Sequence, residues 1–370
     1  MIRRDDVWHA IRNWRAAKGR SRAWVALGWF WAAVLAFLVV SASVLQVLGP
    51  PPPRQPVAAT AAPAQAARAP EPAGAPTPHP PPYAAADGRV QAPIAALQEP
   101  APWSDSATLP RIGPDGRMPM QVYAARFDPA DPRPRVAVLL AGIGMAEIDS
   151  EEAIRATPAA VSLAISPYAP RPGVLLELAR SAGHETLVSI PMEPLGHPMN
   201  DAGPRSLLTG LPPVQNHVQL IWALSRFSGY VGATAAMSGL RGERFGANQQ
   251  MKAVLDELAA RGLLYIDPRP LPSHPGGPSL ARPGVRVVDL VIDDPPVRSE
   301  IEAKLARLEQ IARDRGNALG LAGLPGPVTI DRLAAWTATL GSRGLVLVPV
   351  SALVPPPVPP VSEAAASHRR

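Results

Sequence analysis

From Val136 onward, short apolar runs alternate along the chain with longer amphipathic stretches. The apolar runs have the length of β-strands, and the amphipathic stretches repeat apolar residues at the three- and four-residue spacing of helices. The clearest predicted helix is Glu300–Arg315, in which Ile301, Leu305 and Leu308 share one face. The alternation therefore predicts an α/β domain.

The pattern predicts eight strands separated by six helices. The strands are Val136–Leu140, Val161–Ile165, Thr186–Ile190, Tyr230–Thr234, Leu263–Ile266, Val287–Val291, Ala318–Ala322 and Leu345–Val348, and the helices are Glu151–Arg155, Val174–Ala182, Val214–Phe227, Gln249–Arg261, Glu300–Arg315 and Thr329–Leu340. Alternating strands and helices give a mostly parallel sheet covered by helices. This number of units favours a (β/α) barrel over an open doubly wound sheet, so functional residues are expected at the carboxyl ends of the strands.

The N-terminal part of the chain has a different pattern. Residues 1–22 are rich in basic residues, and residues 23–48 contain no charged residue. This uncharged stretch is long enough for a transmembrane helix. The positive-inside rule then places residues 1–22 in the cytoplasm and the remainder outside, as in a single-pass protein of the bacterial inner membrane with a periplasmic domain. A cleaved signal peptide, with Ser41-Ala42-Ser43 as its cleavage site, is the alternative.

Proline-rich sequence flanks the predicted domain on both sides. Of the 48 prolines in the 370-residue chain, roughly half lie between Pro50 and Pro134. Residues 49–108 are predicted to be a disordered tether, because so little apolar surface cannot offset the entropy of ordering. Residues 354–370 are predicted to be a disordered tail, which leaves residues 109–353 for the globular domain.

Composition and charge exclude several classes of protein. The chain has no cysteine, so disulfides, thiol catalysis and cysteine-based zinc sites are excluded. Its net charge of +6 is concentrated before residue 23, where seven basic and two acidic residues occur. A membrane flank explains this surplus better than a nucleic-acid surface. No nucleotide partner is expected either: Walker A is absent, and Glu147 occupies the last position of the glycine pattern that begins at Gly142.

Candidate site residues are found where the predicted strands end. Glu193, Asp267 and Asp293 each follow a strand, so in a barrel their carboxylates would point toward one rim and could serve acid–base chemistry or bind sugar hydroxyls. Solvated loop acids and helix caps are the alternative interpretation. His184 follows Gly183 at a helix end, where contact with terminal carbonyls is expected, and it is retained as a weaker ligand-binding candidate.

Several segments occur along the chain in a characteristic order. They are Val136–Gly144, Val161–Pro170, Ala182–Pro194, Gly229–Gly232, Tyr265–Asp267, Val291–Asp294 and Val346–Pro349, with Ile112–Tyr123 as a lead-in. This ordered set resembles the divergent branch of the polysaccharide deacetylase family, the NodB-like deformed (β/α) barrels. The resemblance covers roughly residues 109–353, and no single motif carries it alone.

The resemblance implies a metal-dependent deacetylase, but the residues that would hold the metal differ. Metal-dependent members end the first strand in two aspartates, one a catalytic base and one a metal ligand, and here those positions are Ala141 and Gly142. The metal histidine is replaced near Ala236, and the late histidine motif is lost in Leu321–Pro325. Zinc-dependent hydrolysis needs a zinc ion that is held by about three protein ligands. Because these ligands are missing, no metal and no cofactor are expected.

Three functions remain open. The first is a non-hydrolytic domain of the cell envelope that binds a glycan or a protein partner through the barrel rim. The second is residual carbohydrate processing by Glu193, Asp267 and Asp293 without zinc. The third is a scaffold that recruits another envelope protein. A carboxylate-lined cleft would favour the first two functions, and an exposed apolar patch would favour the third.

Overall fold

The computed structural model describes residues 29–36, 88–270 and 282–355. Residues 29–36 are helical, and Trp29, Phe30, Trp31 and Leu35 are exposed there. The rest of the predicted membrane segment lies outside the described residues, as do most of the predicted tether and all but two residues of the predicted tail. No helix in the described ranges combines the length and the apolar character that a membrane crossing requires.

A nine-stranded parallel sheet forms the centre of the folded domain. The strands are β3 (Arg135–Ile143), β4 (Ser162–Ile165), β5 (Thr186–Ser189), β6 (Gly232–Thr234), β7 (Leu264–Asp267), β8 (Val285–Val287), β9 (Leu290–Val291), β10 (Asn317–Ala322) and β11 (Val346–Leu347). Eight of them are paired in the order β8-β7-β6-β5-β4-β3-β10-β9, and β11 pairs with the first residues of β3. The curled parallel sheet with flanking helices confirms the predicted barrel-like α/β fold.

Helices follow most of the strands and cover the outer side of the sheet. They are α1 (Pro119–Val122), α2 (Glu147–Ala156), α3 (Pro172–Ser181), α4 (Pro213–Leu224), α5 (Glu243–Gly246), α6 (Met251–Ala260), α7 (Arg298–Arg315) and α8 (Pro327–Thr337). The six helices predicted from periodicity correspond to α2, α3, α4, α6, α7 and α8. The predicted strand Val287–Val291 is instead split into β8 and β9, which pair with different neighbours, β7 and β10.

The side chains of β3 show how the core is divided. Val136, Val138 and Leu140 belong to the cluster between sheet and helices, whereas Ala137, Leu139 and Ala141 belong to a second cluster with apolar residues of other strands. Side chains alternate between the two faces of a strand, so the second cluster fills the concave side of the sheet. All six side chains are fully buried.

The folded domain begins earlier in the chain than the sequence predicts. Strands β1 (Gln98–Ala101) and β2 (Ser104–Pro110) form an antiparallel hairpin within the region predicted to be tether. Leu97, Ala101 and Leu109 are buried in the core clusters. The predicted tether boundary at residue 108 is therefore wrong. Apolar residues of this proline-rich stretch pack against residues that are distant in the sequence, and local composition does not predict such packing.

Candidate functional site

A cleft of about 140 Å³ opens at the carboxyl end of the sheet. Its walls come from the segments that follow β6, β9 and β10, which meet because these strands run parallel. Leu240, Val291 and Leu324 supply apolar surface, and Arg241, Asp293 and Asp294 supply polar groups. This is the end of the sheet at which the sequence predicts a functional site.

Backbone and proline atoms fill the space beside Gly142, one of the two positions at which the family resemblance places an aspartate. Ala141 is fully buried in the concave face of the sheet. Gly142 has φ +81°, and a Cβ there would lie 2.9 Å from Cδ of Pro325 and 3.2 Å from the carbonyl oxygen of Gly323. An aspartate at position 142 would therefore need both a strained backbone and displacement of Pro325.

A second contact closes the same region from the β6 side. Ala236, near which the family resemblance places the metal histidine, is buried, and the backbone N–H of Gly239 donates to the carbonyl oxygen of Gly323 at 3.2 Å. A Cβ on Gly323 would lie 3.3 Å from Cα of Gly239. The loops after β6 and β10 are thus in backbone contact, and small residues allow it.

Asp293 joins the ends of β9 and β10. Its Oδ1 accepts a hydrogen bond from the N–H of Gly323 at 2.7 Å, and its Oδ2 accepts one from Leu324 at 2.9 Å. Burial raises the pKa of Asp293 above its usual range, although the two N–H donors act in the opposite direction. Both oxygens are therefore used to hold a loop.

Asp267 forms a buried ion pair with Arg269, two residues later. Oδ1 of Asp267 accepts from Nε of Arg269 at 2.8 Å, and Oδ2 accepts from Nη2 at 2.5 Å. The aspartate is fully buried and the arginine is 4 % exposed. Gly246 lies against this guanidinium, since a Cβ there would meet Cζ of Arg269 at 2.6 Å. The pair locks the end of β7 onto α5.

Glu193 is held by the loop that follows β5. Its Oε2 accepts from the N–H of Thr209 at 2.5 Å and from the Thr209 hydroxyl at 2.6 Å, and its Oε1 lies 3.2 Å from Nε of Arg244. Burial raises the pKa of Glu193, but the hydrogen bonds from Thr209 and the charge of Arg244 outweigh it, so the pKa lies below its usual range. This carboxylate is ionised, and both of its oxygens are engaged by Thr209 and Arg244.

The structure places His184 away from the cleft, before the start of β5. Its ring is fully buried, with Nδ1 2.8 Å from the carbonyl oxygen of Val161 and Nε2 3.0 Å from that of Ile154. Burial lowers the pKa of His184. Ile154 belongs to the last turn of α2, so the ring contacts a helix-terminal carbonyl, although of a different helix from the one that precedes His184. No surface of the ring is available to a ligand.

Sequence reasoning missed an ion-pair network at the cleft and a buried acid elsewhere. Arg241 lies 3.1 Å from Asp294 and 3.3 Å from Glu243. The charged residues Arg241, Glu243 and Arg244, which begin seven residues after the end of β6, were the available signal for this network. No such signal marked Glu185, which follows His184 and is fully buried.

The rim carboxylates are brought to one end of the sheet but not into one catalytic arrangement. Asp293 binds backbone N–H groups, Asp267 binds Arg269, and Glu193 binds Thr209 and Arg244. A general base needs a free oxygen within hydrogen-bond reach of its substrate. In the described part of the chain, no group of three or more His, Asp or Glu side chains is placed to hold a metal ion.

Comparison with known proteins agrees with this geometry at the level of fold and family. Residues 138–354 match the family described as "Divergent polysaccharide deacetylase". A crystal structure of the uncharacterized protein ATU2773 from Agrobacterium tumefaciens C58 is similar, with a TM-score of 0.60 and 32% identity, covering 67% of this chain and all of that one.

Two curated bacterial proteins are also similar. An uncharacterized protein of Haemophilus influenzae is 26% identical over 204 residues, which are 54% of this chain and 70% of that protein. The uncharacterized protein YibQ of Escherichia coli is 23% identical over 212 residues, which are 56% of this chain and 64% of YibQ. Because the family match spans more than half of the chain and the fold agrees, the chain belongs to the divergent polysaccharide deacetylase family.

Proposed function

We propose that the domain is a non-hydrolytic binding module of the cell envelope, which holds a protein partner at the cleft and on the loops around it. The observation that carries the proposal is the packing of Pro325 and Gly323 against Gly142. It fills the space in which a metal-binding aspartate would stand. The chemistry expected of the family requires a cation to polarise the amide and activate water.

The occupied carboxylates support binding rather than residual catalysis. Asp293 is bonded through both oxygens to Gly323 and Leu324, and Asp267 is bonded through both oxygens to Arg269. Releasing either acid to accept a proton would leave buried partners without a hydrogen bond, which is costly. These groups are equally unavailable to sugar hydroxyls, so a glycan finds few free polar groups in the cleft.

Exposed apolar side chains at the same end of the domain support a protein partner. Five large ones lie on segments that follow the sheet strands: Met145, Leu195, Met199, Val297 and Leu324, which are 40–92 % exposed. Apolar surface of this kind is removed from water when a partner binds. The cleft is smaller than the roughly 300–1,000 Å³ of typical small-molecule pockets, and suits a single inserted side chain.

The proposal keeps the expected placement at the bacterial inner membrane. A basic segment followed by an uncharged stretch at residues 23–48 supports a cytoplasmic N-terminus and a periplasmic domain. The proline-rich sequence that follows would then act as a spacer between membrane and domain.

Site-specific photo-crosslinking in cells tests the proposal. A photo-reactive amino acid at Leu324, in the cleft wall, should give a discrete protein adduct, whereas the same group at Val214, which is 68 % exposed on α4, should not. The adduct should disappear in Leu195→Asp and persist in Val218→Asp, a matched change on α4. Absence of an adduct at Leu324, or an identical adduct at Val214, would contradict a partner at the cleft.

A further inference from the structure

Two exposed arginines converge on one tryptophan outside the cleft. Cζ of Arg205 and Cζ of Arg226 each lie 5.6 Å from the ring centroid of Trp222 on α4. Tyr168 packs against the same indole, with ring centroids 5.3 Å apart. Arg205 comes from the loop after β5 and Tyr168 from the loop after β4, so three separate segments build this cluster.

Hydrogen bonds fix the cluster before any ligand arrives. The phenol oxygen of Tyr168 accepts from the backbone N–H of Arg205 at 3.0 Å, and Nε of Arg226 donates to the carbonyl oxygen of Pro167 at 2.9 Å. Gly203 allows the tyrosine ring to approach, since a Cβ there would meet the ring at 2.8 Å. Cation–π contact with the indole further restricts both guanidinium groups.

Neither guanidinium is neutralised within the described residues. Most arginines of the folded domain lie beside a carboxylate, but Arg205 and Arg226 form no ion pair there. The side chain of Asp201, which is nearby, accepts the N–H of Gly203 instead. The terminal nitrogens of Arg226 make no hydrogen bond in this part of the chain, and those of Arg205 make one long contact of 3.5 Å with Gln219.

We propose that Arg205 and Arg226, held on Trp222, form a binding site for an oxyanion, a phosphate or carboxylate group of a ligand. The guanidinium presents parallel N–H donors that match such groups, and it forms charge-assisted hydrogen bonds with them. Because the side chains are already ordered, less conformational entropy is lost on binding than for free surface arginines. The site is separate from the cleft and does not depend on the function proposed for it.

Calorimetric titration of the full-length protein with inorganic phosphate and with acetate, at constant ionic strength in chloride, tests the site. Saturable binding of at least one anion is expected, and the stronger of the two assigns the group as phosphate or carboxylate. Arg205→Gln and Arg226→Gln should each weaken that affinity about tenfold, the size of one charge-assisted hydrogen bond. Arg307→Gln removes an exposed arginine of α7 that has no described partner, and the anion affinity of this variant should equal that of the wild type.

The variant Trp222→Leu distinguishes binding by two oriented guanidinium groups from nonspecific attraction by positive charge. It keeps both guanidinium groups but removes the ring that holds them, so the affinity should fall while the melting curve confirms folding. Full affinity in this variant would overturn the proposal. So would the absence of saturable binding, or an equal loss in Arg307→Gln, which would indicate general screening. If Trp222→Leu does not fold, the two arginine variants still decide the question.

Discussion

Pro325 and Gly142 are in such close contact that a Cβ on the glycine would lie 2.9 Å from Cδ of the proline. Gly142 is the next-to-last residue of β3, and Pro325 follows β10, the neighbouring strand. The contact therefore lies at the carboxyl end of the sheet, where the family resemblance places the metal. An aspartate at position 142 would have to displace this proline.

Gly142→Ala should destabilise the domain more than a glycine replacement that lacks this contact. Gly344 also has a positive φ, +73°, but a Cβ there meets nothing within 4 Å. We expect Gly344→Ala to lower the free energy of unfolding by about 1 kcal/mol through backbone strain. Gly142→Ala should lose about 3 kcal/mol, because overpacking against Pro325 is added. If denaturant titrations gave the same loss of unfolding free energy for both variants, Pro325 would be able to move aside and position 142 would have space for a carboxylate.

The Asp267–Arg269 pair should behave as a structural element. Asp267→Leu leaves a buried guanidinium unpaired, and the expected loss of unfolding free energy is about 3–5 kcal/mol. The double variant Asp267→Leu with Arg269→Met should be more stable than either single variant, because no unpaired charge remains. Glu151→Ala, which breaks the exposed pair with Arg155, should cost less than about 1 kcal/mol. If the double variant lost as much unfolding free energy as the two single variants together, this structural role would be contradicted.

Glu193 should make stability depend on pH in an acidic window. Its pKa in the folded domain lies below the ordinary value of 4.5, so its stabilisation is complete above that value and is lost as pH falls through the folded pKa. Glu193→Gln should therefore be less stable than wild type by about 1.5–3 kcal/mol at pH 7, and the difference should shrink below pH 4.5. Denaturant titrations at several pH values measure it, with the exposed Glu152→Gln as control. A constant difference down to acidic pH would show that its ionisation is not involved.

Glu185 should be among the acids most needed for folding. Its two oxygens accept from the N–H of Ala125, the hydroxyl of Ser162, and the N–H and hydroxyl of Ser351. Glu185→Ala leaves these buried donors unpaired, and we expect a loss of about 3 kcal/mol or more. Glu152→Ala should stay within about 0.5 kcal/mol of wild type in the same thermal or denaturant measurement. A small effect of Glu185→Ala would mean that water replaces the carboxylate.

Periodicity was sufficient to predict most of the fold. The six predicted helices are present because each carries one apolar face, as Ile301, Leu305 and Leu308 do in α7. The β1–β2 hairpin was missed because Leu97 and Ala101 lie in proline-rich sequence with few other apolar residues, and only distant partners make them core residues. Local patterns contain no information about such partners.

The sequence predicted where the rim acids lie but not what they bind. Glu193, Asp267 and Asp293 lie at or just after the ends of β5, β7 and β9. Their partners come from positions that spacing does not relate to them, such as Thr209 for Glu193 and Gly323 for Asp293. The steric closure at Gly142 likewise depends on Pro325, far along the chain, and could be recognised only in three dimensions.

Acetate release is the measurement that tests the central claim most directly. The full-length protein is incubated with acetylated chitin oligomers and with acetylated peptidoglycan, with and without added zinc, and free acetate is quantified. Because Pro325 and Gly323 fill the space beside Gly142, we expect no acetate above a protein-free control in either condition. Zinc-dependent acetate release above the protein-free control would contradict this account and show that the domain is a hydrolase.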